Sequence, residues 1–210
     1  MRVTFLNYKN SLVIVVTLFF FSLFLPDTAF AHHPFKMGVS ADLSFWQALI
    51  SGIGHPLLGP DHLIFMLGIA FAGIKKTKNW VIPLLTIGLT GTALVQLLPL
   101  PDVLTTWAEG LVSLSLVIEG FIILNRVNPK WLFPMFALHG YLLGNTIVGA
   151  EPTPLIGYFL GLLVSQATLL ILVTVMSQKS INWLGGNSRF ITSGVLIGIG
   201  SAFSWVALVG

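Results

Sequence analysis

Long apolar segments separated by short polar loops run through most of this chain. An apolar stretch near the amino terminus is followed by six segments near the length that a helix needs to cross a hydrocarbon core of roughly 30 Å: residues 43–74, 80–98, 106–124, 131–148, 154–176 and 190–209. Proline and glycine interrupt the first segment between His55 and Pro60, so we expect that helix to be broken there. The pattern predicts an all-α integral membrane protein with six transmembrane helices.

Composition supports the same class. Only 8% of the 210 residues are charged, against about 25% in soluble domains, so the charges cannot cover a water-facing surface. We therefore expect the lipid bilayer as partner, and a net charge of +3 gives no reason to expect nucleic acid. The absence of cysteine excludes disulfides and thiolate metal sites. No Gly-x-x-x-x-Gly-Lys-Ser/Thr run marks a nucleotide-binding domain, and a homo-oligomer is left open.

The amino-terminal segment is typical of a signal peptide. Basic residues precede an apolar stretch, and a small-x-small run ending at Ala31 matches a cleavage site. We expect a signal peptide over residues 1–31 and a six-helix transmembrane domain over residues 32–210, with an uncleaved first helix as the alternative. Cleavage would expose His32 as the new amino terminus beside His33. An amine and two imidazoles can chelate a divalent metal on the outer face, although a solvated tail that merely holds two histidines is the other interpretation.

Basic residues occupy alternate loops. They follow the first, third and fifth predicted spans, and the intervening loops hold only the acids Asp102 and Glu151. The positive-inside rule places the basic loops in the cytoplasm, so the mature amino terminus and the carboxyl terminus are predicted to be extracytoplasmic. Helical spans indicate the inner, or plasma, membrane of a bacterium, because outer-membrane proteins are typically barrels.

Two imidazoles and a carboxylate stand at the predicted break in the first span. His55 precedes Pro56, and Asp61 and His62 follow Pro60. Ionisable residues within a span are costly and usually mark a transport path or a site. Imidazole and carboxylate suit nickel, cobalt or zinc, and a broken helix brings the two sides of the break together. We hypothesise a metal site here; the alternative is that the histidines only hydrogen-bond between helices.

Other spans carry further polar residues. His139, near the middle of the fourth span, is a candidate third imidazole. Glu119, in the third span, is a candidate exit ligand or proton acceptor, or else it reaches the membrane interface. Asn145 is a candidate for lining the ion path or for a hydrogen bond between helices. Because an imidazole must be neutral to bind a metal, we expect metal affinity to fall below about pH 6–7.

Two motifs resemble those of the HupE/UreJ family of nickel/cobalt permeases. The run from His55 to His62 is similar to the family signature His-Pro-x-x-x-x-Asp-His, and Phe136–Gly140 is similar to its second motif. The resemblance implies uptake of Ni²⁺ or Co²⁺, as a transported ion and with no prosthetic group, across a bacterial membrane. It implies His55, Asp61 and His62 as metal ligands, and His139 as a residue of the second motif.

The chain departs from the family pattern after the second motif. Many members carry a second histidine or an acid shortly after the His-Gly pair, where this sequence has Leu143 and Asn145. Asn145 offers a neutral carbonyl oxygen and no charge, so the ligand set on this side differs from that of many relatives.

Two functions from other classes also fit the polar residues. Three histidines and an aspartate can hold zinc with an open water position, as in an intramembrane zinc-dependent hydrolase. The chain shows no evident additional buried base, so we do not expect an enzyme. The second is a membrane scaffold that senses or stores metal without transporting it.

The two halves of the chain share a short similarity. The run that begins His-Pro-Leu-Leu-Gly at His55 resembles His-Gly-Tyr-Leu-Leu-Gly at His139. A division into three plus three spans would relate the halves as inverted repeats, an arrangement found in many transporters.

Overall fold

The computed structural model describes residues 43–72, 78–184 and 187–209, and all regular structure in these ranges is helical. The α-helices follow in chain order: α1 (Phe45–Leu58), α2 (Pro60–Gly68), α3 (Lys78–Leu97), α4 (Asp102–Ile123), α5 (Leu132–Asn145), α6 (Pro152–Leu184) and α7 (Ser188–Val209). Short 3₁₀ turns at Ile69–Phe71 and Pro129–Trp131 follow α2 and precede α5. The predicted signal peptide, with His32 and His33, lies outside the described residues.

Four helices in the described part of the chain are long and apolar enough to cross a membrane: Asn79–Leu97, Asp102–Ile123, Pro152–Val175 and Ser188–Val209. They correspond to the second, third, fifth and sixth predicted spans, and they confirm the all-helical, membrane-spanning class. The first predicted span is split into helices of 14 and 9 residues, and the fourth contains a helix of 14 residues. Six crossings therefore stay a prediction.

The structure confirms the break in the first span, but α1 continues through Pro56 and ends only at Leu58, with Gly59 as its C-cap. Pro56 has no N–H, so the carbonyl of Gly52 loses its helical donor. The hydroxyl of Ser165 in α6 lies 3.5 Å from that carbonyl oxygen and 3.4 Å from that of Leu162, so it is within hydrogen-bonding reach of the carbonyl that Pro56 leaves without its helical donor. At Gly59 the backbone is extended (φ −77°, ψ 107°), because the residue before Pro60 is disfavoured in the helical region. Pro60 then begins α2, the position where proline suits a helix.

Three pairs of helices make the closest packing: α1 with α6, α3 with α5, and α4 with α7. Glycine lets the backbones approach. A Cβ on Gly157 of α6 would lie 2.5 Å from the carbonyl oxygen of Phe45 in α1. One on Gly144 of α5 would lie 2.7 Å from the carbonyl oxygen of Thr92 in α3. Helices in lipid associate through such close contacts because no hydrophobic drive brings them together.

The directions of the paired helices agree with alternating passes through a bilayer. In α1 and α6, Phe45 lies beside Gly157 and Gly52 beside Ser165, so these helices are parallel. The α3–α5 pair is parallel by the same criterion. The α4–α7 pair is antiparallel, because its hydrogen bonds join the end of one helix to the beginning of the other. If successive spans cross a bilayer in alternating directions, the first and fifth spans (α1 and α6) are parallel, and so are the second and fourth (α3 and α5). The third and sixth spans (α4 and α7) are then antiparallel, as observed.

The same pairs have the symmetry of an inverted repeat. If the first three spans are matched in order with the last three, α1 corresponds to α5, α3 to α6 and α4 to α7. The α1–α6 pair then corresponds to the α5–α3 pair. The α4–α7 pair is exchanged with itself. This packing supports the hypothesis of related halves, in which His55 and His139 occupy corresponding spans.

Candidate metal site at the helix break

The residues grouped by the sequence meet around the break between α1 and α2. His55 lies in the last turn of α1, and Asp61 and His62 lie in the first turn of α2. Both imidazoles are buried, with ring centroids 6.0 Å apart. Asp61 is half-buried, and its Oδ1 accepts a hydrogen bond of 2.9 Å from the backbone N–H of His62. The break therefore has one buried imidazole on its first side, and a half-buried carboxylate and a second buried imidazole on the other.

His55 is tied to two other helices through Tyr158 of α6. Nδ1 of His55 lies 2.7 Å from the phenol oxygen, which donates to the carbonyl oxygen of Leu143 in α5 at 2.6 Å. The hydroxyl of Thr146 lies 3.2 Å from the same phenol. Tyr158 is fully buried, so this network fixes the end of α1 against α5 and α6.

His139 lies against His62, and its predicted role as a third imidazole of a metal site stays a prediction. The Nδ1 atoms of the two rings are 2.6 Å apart. Nε2 of His139 lies 2.8 Å from Oγ of Ser115 in α4, and that hydroxyl donates to the carbonyl of Val112 at 2.6 Å. Phe65 stacks on His139 with ring centroids 4.1 Å apart and planes 12° apart. Contacts on both nitrogens and on one face thus fix the orientation of this ring.

The histidines contact one another and neighbouring hydroxyl groups rather than forming a closed coordination shell among the described residues. Within residues 43–72, 78–184 and 187–209, no three His, Asp or Glu side chains are grouped as a metal site. His55 pairs with Tyr158, and His62 pairs with His139. Neutral imidazoles, a nearby carboxylate and a helix break are nevertheless a donor set that suits a divalent transition metal.

Glu119 forms a separate polar site near the other end of α2. Its side chain is 0% exposed, and neither carboxylate oxygen has a hydrogen-bond partner among the described residues. A Cβ on Gly68 would lie 2.5 Å from Oε2, so a larger residue at this position would require the carboxylate to shift. Gly68 follows His62 by six residues in α2, which is about 9 Å along a helix. The side chain of Arg189 binds the carbonyl of Ile123, one turn beyond Glu119, so the carboxylate lies towards the basic end.

Asn145 is separated from His139 along α5. It is, however, adjacent to Thr146, whose hydroxyl lies 3.2 Å from the phenol that contacts His55. Asn145 is the last residue of α5 and is half-buried. Its backbone is six residues from His139, or about 9 Å along the helix axis. A role of Asn145 at the metal site therefore stays a prediction.

Sequence reasoning assigned no role to Ser115 or Tyr158. Ser115 and Glu119 are four residues apart, so one face of the third span carries two polar groups. This spacing could have identified Ser115 from the sequence alone. Tyr158 stands in an apolar span and contacts a histidine 103 residues away in the sequence. Only the packing of α6 on α1 reveals its contact.

Comparison with known proteins gave one match. A family model described as HupE / UreJ protein matches residues 20–203, a range that includes both sequence motifs. Neither a curated protein nor a solved structure was found to match.

Proposed function

The chain belongs to the HupE / UreJ family, as its two motifs predicted, and from this premise we propose that it is a permease that takes up Ni²⁺, Co²⁺ or both. The family is transporter-like, and the long apolar helices indicate a membrane protein. The proposed location is the inner membrane of a bacterium, with the basic loops in the cytoplasm.

The arrangement at the break in the first span carries the proposal. His55 and His62 are buried at the facing ends of two half-helices, and Asp61 stands between them in the sequence. Ion sites in transporters commonly form where helices are discontinuous. The amino terminus of a half-helix disfavours a cation, but a carboxylate in its first turn offsets that effect. We propose His55, Asp61 and His62 as the residues that hold the transported ion.

Two further positions extend the path in this proposal. His32 and His33 are predicted to lie outside the cytoplasm, where they would capture the ion. Glu119 lies towards the basic, predicted cytoplasmic end, where its carboxylate would receive the ion before release. The membrane potential favours this direction by about 4.6 kcal/mol per 100 mV for a divalent cation.

Uptake of radiolabelled Ni²⁺ and of radiolabelled Co²⁺ into cells expressing the chain, each alone and in competition with the other, tests the proposal. We expect His62→Ala and Asp61→Asn to lower uptake by about 100-fold or more, because loss even of a group that only orients a ligand costs 10–100-fold. Asp102→Asn is the matched control, since Asp102 also lies in a first helical turn but is exposed. It should leave uptake unchanged.

Two outcomes would contradict the proposal, provided that all variants are inserted at equal abundance. Full uptake by both His62→Ala and Asp61→Asn would reject the site. Absence of uptake of either metal by the unaltered chain would reject the permease and favour a metal-binding scaffold or a hydrolase.

A further inference from the structure

Two short oxygen–oxygen contacts locate two protons in the histidine cluster. The phenol oxygen of Tyr158 lies 2.6 Å from the carbonyl oxygen of Leu143, and Oγ of Ser115 lies 2.6 Å from that of Val112. A carbonyl oxygen only accepts, and two oxygens at that distance need a proton between them. Each hydroxyl therefore donates its single proton to the backbone.

The hydroxyls consequently act as acceptors towards the histidines. Nδ1 of His55 lies 2.7 Å from the phenol oxygen of Tyr158, and Nε2 of His139 lies 2.8 Å from Oγ of Ser115. Since both hydroxyl protons are already engaged, the ring nitrogen must supply the proton in each contact. His55 is thus protonated on Nδ1, and His139 is protonated on Nε2.

The position of the proton on His139 determines the position of the proton on His62. A neutral His139 protonated on Nε2 presents a lone pair at Nδ1. That atom lies 2.6 Å from Nδ1 of His62, so His62 must donate. In their neutral forms, which are the forms that bind metals, both His55 and His62 carry the proton on Nδ1. The lone pair of each ring is therefore on Nε2.

We infer that Tyr158, Ser115 and His139 are positioning residues that hold His55 and His62 in the tautomer whose Nε2 atoms bind the transported ion. His139 accordingly acts through His62 and is not itself a ligand in this arrangement. Groups that hydrogen-bond the second nitrogen of a ligating histidine fix its tautomer and raise its basicity. Stacking of Phe65 on His139 keeps the acceptor nitrogen aimed at His62. The inference rests on the proposed function for the identity of the ion, but the tautomers can be tested without it.

Nitrogen NMR of the purified full chain, with ¹⁵N in the histidine rings, measures the tautomers directly. Single histidine substitutions assign the signals. We expect His55 and His62 to be protonated on Nδ1 and His139 on Nε2. Tyr158→Phe should release the preference of His55 alone, and Ser115→Ala should release that of His139 and His62. Tyr141→Phe is the matched control, because Tyr141 also donates to a backbone carbonyl, that of Leu98, away from the cluster.

Either of two NMR results would overturn the inference. One is a His62 ring protonated on Nε2 in the unaltered chain. The other is an unchanged set of tautomers in both Tyr158→Phe and Ser115→Ala. This measurement involves no transported metal, so it decides the tautomers even if the unaltered chain imports neither Ni²⁺ nor Co²⁺ and the proposed function fails.

Uptake kinetics separate positioning from ligation. We expect Tyr158→Phe and Ser115→Ala to raise the KM for Ni²⁺ by about 10–100-fold, with Tyr141→Phe and Ser113→Ala as controls. His139→Asn keeps an acceptor oxygen near the position of Nδ1 but removes the imidazole. It should retain much of the uptake that His139→Ala loses. Equal loss in the two His139 variants would mean that the imidazole of His139 binds the ion itself.

Discussion

Replacing Gly140 with alanine is expected to separate α3 from α5 and to destabilise the protein severely. The added Cβ would overlap the carbonyl oxygen of Gly88 in α3, and a backbone atom cannot rotate away as a side-chain end can. The helices would have to move apart, breaking the hydrogen bond of 2.8 Å from Thr92 to the carbonyl of Gly140. Overpacking of this kind costs about 1–3 kcal/mol or more, and we expect the upper end here.

Gly110→Ala is the matched control for this prediction. The nearest atom to a Cβ at Gly110 is Cδ2 of Leu208, at 2.9 Å, and that side chain can shift. Unfolding of the purified variants in denaturant compares the two free energies of unfolding. Equal destabilisation by Gly140→Ala and Gly110→Ala would show that the backbone contact between α3 and α5 is not the source of the effect.

Replacing Glu119 with methionine is expected to raise the free energy of unfolding and to abolish uptake. Both carboxylate oxygens are buried without a partner among the described residues, and an unsatisfied buried polar group costs about 1–3 kcal/mol. Methionine has a similar length and no such group, so we expect a gain of that order. We expect uptake to be lost because ionisable residues within a span usually mark a transport path.

Two quantities are measured for each Glu119 variant. Ni²⁺ uptake is measured in cells, and the free energy of unfolding is measured on the protein purified from the same cells. Glu109→Met, on the same helix but at a half-buried position, is the control and should show neither the gain nor the loss. Glu119→Gln, which keeps the shape of the side chain, should also lose uptake. Normal uptake in both Glu119 variants would remove this residue from the path.

The break in the first span was predictable because its cause is local. Proline removes a backbone donor and restricts the residue before it, so the sequence alone located the break within the six residues from His55 to Pro60. The sequence did not show that Pro56 would remain helical. The carbonyl of Gly52, which Pro56 leaves without a helical donor, lies 3.5 Å from the hydroxyl of Ser165 in a helix more than a hundred residues later, and the sequence alone does not show that contact.

The candidate site was predictable in its ligand types and not in its contacts. Imidazoles and a carboxylate in apolar spans identified His55, Asp61, His62 and His139, because such residues are costly in a membrane. Which nitrogen meets which group depends on how α4, α5 and α6 pack around the break. Hydropathy gives the positions of spans along the chain but carries no information about which spans are neighbours.

The pairing of early helices with late ones affects the order of synthesis. His55 and Tyr158 are separated by 103 residues, so at about 5–20 residues per second the ribosome needs roughly 5–20 s to travel from one to the other. Throughout that interval α1 lacks its packing partner α6, and His55 lacks the phenol that later contacts its ring. The carbonyl of Ile123, at the end of α4, similarly receives its hydrogen bond only after Arg189, 66 residues later, has been synthesised. Each of these contacts can therefore form only after the later helix has been synthesised, α6 for His55 and α7 for Ile123.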